Sequence, residues 1–196
     1  LHVRSRRQRQ MCIRDSIPNV RSYDPTFGYE VTVILQHGTK AMMEDQVDEY
    51  YYLTLMNENY AHPDMPEGAA EGIVKGMYLL TDAGKPKKGE LRVQLLGSGT
   101  ILREAIAAAE LLDKDFGVTA DIWSCPSFNE LRRDGFDVER HNRLHPEGEQ
   151  RKAYVTELLE GRQGPAIAAT DYVRAYADQI RAVSYTHLTL PTTPYV

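Results

Sequence analysis

The stretch Leu91–Leu112 constrains this chain most. Leu91, Val93, Leu95 and Leu96 form a short apolar run of strand length, and Gly97 and Gly99 interrupt it. Ile101, Ala105, Ala108 or Ala109 and Leu112 then recur at helical spacing. Strand, tight turn and helix open a parallel βαβ unit. Gly117 is a natural left-handed helix stop, and Thr119–Ser124 follows as the next strand. Gly164–Thr170 reads as a third short buried strand and Met77–Leu80 as another. Helices are predicted over Gln150–Gly161 and Asp171–Arg181, the second with Tyr172, Tyr176 and Ile180 on one face. The fold class is therefore α/β, a three-layer, mostly parallel sheet with helices on both sides.

Gly97-Ser98-Gly99 is half of a dinucleotide fingerprint. The third glycine is missing, since Leu102 stands there, and Asp121 lies near the start of its strand, where the ribose-binding acid belongs at the end. A plain tight turn is the better reading, although amides at the helix start could hold an anion.

The two ends do not match the rest. Residues 1–16 hold five Arg and one Asp; residues 184–196 hold no acid or base and four Thr. Both resemble translated sequencing adapter and are expected to lie outside the fold. The whole chain has 23 basic and 28 acidic residues, net −5. Subtracting five Arg and one Asp leaves 18 and 27, net −9. That balance argues against nucleic acid or an anionic membrane as partner. No apolar run is long enough to span a bilayer. Outside the ends Cys125 is the single cysteine, so no disulfide framework is expected and a cytoplasmic location is natural.

Asp24-Pro25 carries a helix-start signal, Asp as cap and Pro at the first helical position. Phe27, Val31, Ile34 or Leu35, Gly38 and Met42 continue it at helical spacing to about Met43. Tyr50–Met56 is dense in β-formers and reads as a buried strand. The polar segment 57–68 follows that strand, where open α/β sheets place their binding crevice, so Glu58 and His62 are acid–base candidates; Pro63 and Pro66 equally suit a domain linker. Ala69–Met77 is a short helix. Ser127 and Glu130 occupy capping-box positions. Cys125 has no local base or cation except Arg132 or Arg133 and reads as a buried structural thiol. His141 and His145 have i,i+4 spacing but lack the further ligands of a metal motif.

Several segments resemble one family. Ile17–Val31, Tyr50–Tyr60, Met65–Gly68, Val93–Arg103, Ser127–Gly135 and Ala169–Arg174 are similar to the homodimeric bacterial type of the decarboxylating enzyme of the pyruvate dehydrogenase complex. The resemblance implies a transketolase-like architecture. Residues 17–62 would end a thiamine-pyrimidine-binding domain, 63–68 would be a linker, and 69–183 a truncated transketolase-like C-terminal domain with Met77–Leu80 as its antiparallel edge strand. It implies thiamine diphosphate and Mg²⁺ in the parent enzyme, pyruvate as substrate, a homodimer, and transfer of the acetyl group to the lipoyl group of an acyltransferase subunit. The family's metal motif, activating glutamate and His-rich loop would lie upstream of Ile17. No catalytic, cofactor or metal residue is therefore assigned here, and the piece alone is expected to be inactive. In transketolases the segment matching 57–60 carries a phosphate-gripping Arg, whose position here corresponds to Asn57; Asn57, Glu58 and Asn59 are expected at the active-site edge. A related 2-oxo acid dehydrogenase and a nucleotide-binding Rossmann-like module are the alternatives.

Overall fold

The computed structural model describes residues 17–86 and 88–181 and the backbone of Leu188 and Thr189. Residues 1–16 thus lie outside the described residues. A five-stranded sheet has the order β3 (Tyr78–Thr81), β5 (Val118–Ser124), β4 (Leu91–Gly97), β6 (Ala166–Ala169) and β7 (Leu188–Thr189). β3 runs antiparallel to β5, and every other pairing is parallel. The edge strand expected at Met77–Leu80 is therefore present and antiparallel. β4 sits centrally, and six of its seven residues are buried, as suits a strand covered on both faces. The two residues of β7 fall in the C-terminal stretch expected outside the fold; their backbone extends the sheet beyond β6.

The strand–helix–strand unit that joins β4 to β5 is as its periodicity predicts. Helix α3 (Ile101–Phe116) buries Leu102 and Ala105 and stops at Gly117, whose φ of 62° no β-carbon opposes. Gly97 is needed for a different reason: a Cβ there would meet the Leu102 Cα at 2.7 Å, so strand and helix approach too closely for a side chain. The main core joins Leu96 and Trp123 of the sheet to Phe128 and Leu131 of α4 (Phe128–Leu144), Val155 and Leu159 of α5 (Tyr154–Leu159), and Tyr176 of α6 (Arg174–Asp178).

The N-terminal segment departs most from expectation. Val20–Tyr23 forms a strand, β1, which the sequence did not announce. It pairs in parallel with β2 (Tyr50–Leu53). Helix α1 (Gly28–Thr39) starts at Gly28 rather than Pro25, because Asp24 is drawn into the interior instead of capping; a π-helical turn over Lys40–Glu44 continues it. β2 is shorter than Tyr50–Met56 and is not buried on both faces. Tyr51 and Leu53 pack beneath it, while Tyr50 and Tyr52 are 45% and 36% exposed.

Two predicted helices are also shorter than expected. Residues 150–153 stay out of α5 because Asn142 clasps the Arg151 backbone in both directions and Asp134 accepts the Tyr154 amide. Residues 171–173 stay out of α6, as the Tyr172 hydroxyl reaches back to Asp24. Ser127 caps α4 by accepting from the Glu130 amide at 3.1 Å. The return half of the capping box is not made, because the Glu130 carboxylate is bonded to Arg21.

α2 (Ala69–Lys75) joins the two parts. Ile34 of α1, Ile73 of α2, Tyr23 and Tyr78 form one buried cluster, and Phe27, Leu102 and Ile122 form another. Residues 17–62 are thus packed on the larger sheet through two apolar contacts.

Candidate functional site

The carboxyl ends of β1, β4 and β5 converge on one loop, 24–27. The Asp24 amide donates to the Pro126 carbonyl at 2.6 Å, and the Asp24 carbonyl accepts from Gly99 at 3.0 Å. The Thr26 hydroxyl donates to the Gly99 carbonyl at 2.8 Å. Backbone from the N-terminal segment therefore occupies the glycine turn that could have cradled a phosphate. Asp121 does not face a ligand there either. It is fully buried and accepts from Gln94 and from the Ala83 amide. Among the described residues the glycine turn and Asp121 offer a dinucleotide no site.

Two buried carboxylates organise this junction. Asp24, 2% exposed, accepts from the hydroxyls of Thr54, Tyr172 (2.8 Å) and Tyr176 (2.6 Å). Glu30, fully buried, accepts from the Thr26 and Phe27 amides and from the hydroxyls of Tyr78 and Ser124, both at 2.6 Å. It thereby makes the backbone half of an N-cap for α1 while reaching across to β3 and β5. Burial beside the Glu30 carboxylate pushes the Tyr78 hydroxyl well above its ordinary range, so it remains a donor. Sequence reasoning missed both roles. The available signal was a glutamate one position from the apolar face of a predicted helix, and an Asp-Pro that also suits a turn.

The expected site residues lie on the loop that leaves β2. Asn57, Glu58 and Asn59 are all exposed. Glu58 pairs with Arg103 at 3.1 Å. Arg103, in the first turn of α3, lies over the Tyr60 ring at 4.6 Å, and the Tyr60 hydroxyl donates to the Thr26 carbonyl. His62 Nδ1 accepts from the Gly28 amide at 3.1 Å, and its ring stacks near Tyr60 at 4.5 Å. Loop 57–62 is thus held over the starts of α1 and α3, at the strand-end face of the molecule. Cys125 is fully buried, and burial raises its thiol far above the reactive range, so it is no nucleophile. The His141 and His145 rings are 4.7 Å apart, yet among the described residues no group of three His, Cys, Asp or Glu could hold a metal.

Residues 76–192 match the family model of the transketolase-like TK C-terminal domain. The chain belongs to that family. Residues 5–63 match the middle domain of the pyruvate dehydrogenase E1 component. Both matches take in most of the end stretches, residues 5–16 of 1–16 and 184–192 of 184–196. Proteins named pyruvate dehydrogenase E1 component from Pseudomonas aeruginosa, Cupriavidus necator and Escherichia coli K12 are similar over 166 to 169 residues, at 59%, 58% and 50% identity. These stretches cover 85–86% of this chain and only 18–19% of each relative, so the chain spans about a fifth of their length. Transketolases from Campylobacter jejuni and Pichia stipitis share the fold, with TM-scores of 0.57 and 0.56 at 18% identity, covering 94% and 91% of this chain and 23% and 21% of theirs. The transketolase-like α/β architecture expected from the sequence is therefore the one found. No helix among the described residues is long and apolar enough to cross a membrane.

Proposed function

We propose that this chain is part of a pyruvate dehydrogenase. In the parent enzyme, pyruvate is decarboxylated with thiamine diphosphate and Mg²⁺, and the acetyl group passes to the lipoyl group of an acyltransferase subunit in the cytoplasm. The parent is a homodimer. Residues 17–62 end its pyrimidine-binding domain, 63–68 link, and 69–183 belong to its C-terminal domain. The observation that carries this reading is the identity of 50–59% with E1 components across most of the chain.

The described residues do not themselves suit the cofactor. The glycine turn after β4 is filled by Asp24 and Thr26, and the buried carboxylates Asp24 and Glu30 are already bonded to hydroxyls and amides. The contribution of this part is a frame. It holds Asn57, Glu58 and Asn59 on a fixed loop at the edge of the active site, where uncharged Asn57 suits a substrate without phosphate. Arg103 and Tyr60 orient that loop, and Glu58 presents a carboxylate beside the guanidinium of Arg103.

This reading expects no turnover of pyruvate by the purified chain with thiamine diphosphate and Mg²⁺ supplied. Measurable decarboxylation by the chain alone would overturn it.

A further inference from the structure

A cavity lies at the opposite end of the five-stranded sheet from Asp24. Its volume is about 310 Å³, at the small end of the range for ligand pockets. Lys85, Arg92 and Arg162 line it, with one lining carboxylate, Asp82. The two guanidinium groups are poorly matched to the acids around them. Arg162 stands 3.4 Å from Asp82 and 3.7 Å from Asp121. Arg92 stands 3.4 Å from Glu90 and 3.7 Å from Asp121. Charge-assisted bonds to carboxylates normally close to about 2.7–2.9 Å.

Uncharged donors also engage the acids, at shorter distances than the guanidinium groups do. Asp121 accepts from Gln94 at 2.8 Å and from the Ala83 amide at 2.9 Å, Asp82 accepts from the Gly84 amide at 2.7 Å, and Glu90 accepts from Thr119 at 2.7 Å. The Arg92 side chain is only 3% exposed. It gives its shortest bond, 2.6 Å, to a carbonyl, that of Gly84, and its Nε has no partner among the described residues. An arginine has five N–H donors. Arg92 and Arg162 both approach Asp121 only to 3.7 Å; Arg92 is buried and adds one long bond, 3.4 Å, to the Ala83 carbonyl, Arg162 is 29% exposed, and the exposed Lys85 stands at the mouth.

We infer that this cavity binds a phosphate group, with Arg162 and Lys85 as its direct ligands and Arg92 supplying charge from behind. A tetrahedral oxyanion offers the close acceptors that Asp82 and Asp121 do not. The inference is independent of the proposed enzymatic role, since the cavity lies away from loop 57–62 and its test does not read catalysis.

Trp123, the single tryptophan of the chain, supplies the reporter, because the Arg162 guanidinium lies 5.3 Å over its ring. The full chain is titrated with inorganic phosphate, and separately with glycerol 3-phosphate, at ionic strength held constant with sodium chloride. Trp123 fluorescence and calorimetry are both read. A saturable response in both readouts is expected, weakened by about tenfold or more in Lys85→Gln and in Arg162→Gln. Tighter binding of the monoester would identify a phosphorylated metabolite as occupant, and tighter binding of inorganic phosphate the free ion. Lys85 is exposed, so its variant keeps the comparison open if Arg162→Gln fails to fold. No saturable response, or equal affinity in wild type and Lys85→Gln, would overturn the inference.

Discussion

The Asp24 carboxylate accepts a hydrogen bond of 2.6 Å from the Tyr176 hydroxyl, 152 residues further along the chain. Both residues are at most 2% exposed. This bond closes the N-terminal segment onto the last helix of the larger sheet, and Tyr172 and Thr54 reach the same carboxylate. Replacing Asp24 by Asn keeps the shape but turns a charged acceptor into a neutral amide, one of whose arms is itself a donor. The substitution is expected to lower the unfolding free energy of the full chain by about 2–4 kcal/mol. Tyr172→Phe, which leaves the carboxylate its other donors, is expected to cost about 1–2 kcal/mol. Denaturant unfolding checks both, and an Asp24→Asn loss no larger than that of Tyr172→Phe would contradict the hub.

Glu30 makes a second such node between α1 and the sheet. Tyr78→Phe and Ser124→Ala each remove one hydroxyl and are expected to cost about 1–2 kcal/mol. Because both donate to Glu30 Oε1, the double variant should deviate from additivity by at least about 0.5 kcal/mol. Strict additivity in a double-mutant cycle would show that the two bonds are energetically separate.

Local pattern and long-range contact divide what was legible in the sequence. The β4–α3–β5 unit was readable because its apolar spacing and its glycines at 97 and 117 are local signals. Met77–Leu80 was readable as an edge strand through the family resemblance. β1 was not, since Val20–Tyr23 is four residues long and is held by pairing with β2 thirty residues away. Asp24-Pro25 carries a sound capping signal, but burial against Tyr172 and Tyr176 overrides it. The same override shortened the helices at 154 and 174, where Asp134, Asn142 and Asp24 take backbone or side-chain groups the helices would have used. The exposure of Asn57, Glu58 and Asn59 follows from their polarity; the pairing of Glu58 with Arg103, which lies over Tyr60, depends on tertiary proximity that no local pattern encodes.

Two glycines separate crowding from conformation. A Cβ at Gly164 would stand 1.8 Å from the Arg92 carbonyl oxygen, and the residue has φ +88°. Gly117 has φ +62° with nothing within 4 Å of a Cβ. Gly117→Ala is expected to cost about 1–2 kcal/mol, the left-handed penalty alone. Gly164→Ala must displace the start of β4 as well and is expected to cost at least about 3 kcal/mol. Thermal unfolding of the two variants side by side checks the order, and a smaller loss for Gly164→Ala would refute it.

Two acids on either side of Arg21 should give stability opposite pH slopes. Burial works against the charge of Glu49, but the Tyr51 hydroxyl at 2.6 Å and Arg21 at 2.8 Å outweigh it and hold the carboxyl below its ordinary value. Its contribution is present above the unfolded pKa of about 4.3 and is lost as pH falls through the lower folded value. Burial raises Glu130 above its ordinary value despite Arg21 and Arg133. Its contribution is complete below about pH 4.3 and is lost as pH rises through the raised folded value. Relative to wild type, Glu49→Gln should therefore worsen between about pH 3 and pH 7 while Glu130→Gln improves. Parallel slopes for the two variants would contradict the assignment.

The most direct measurement is a graft. Residues 17–183 replace the matching stretch of the Escherichia coli E1 component, and the purified chimera is assayed for pyruvate decarboxylation and for acetyl transfer within the reconstituted complex. A dimeric chimera that turns over pyruvate in preference to bulkier 2-oxo acids is the predicted result. A chimera that folds and dimerises but prefers another 2-oxo acid, or is inactive with all of them, would contradict it.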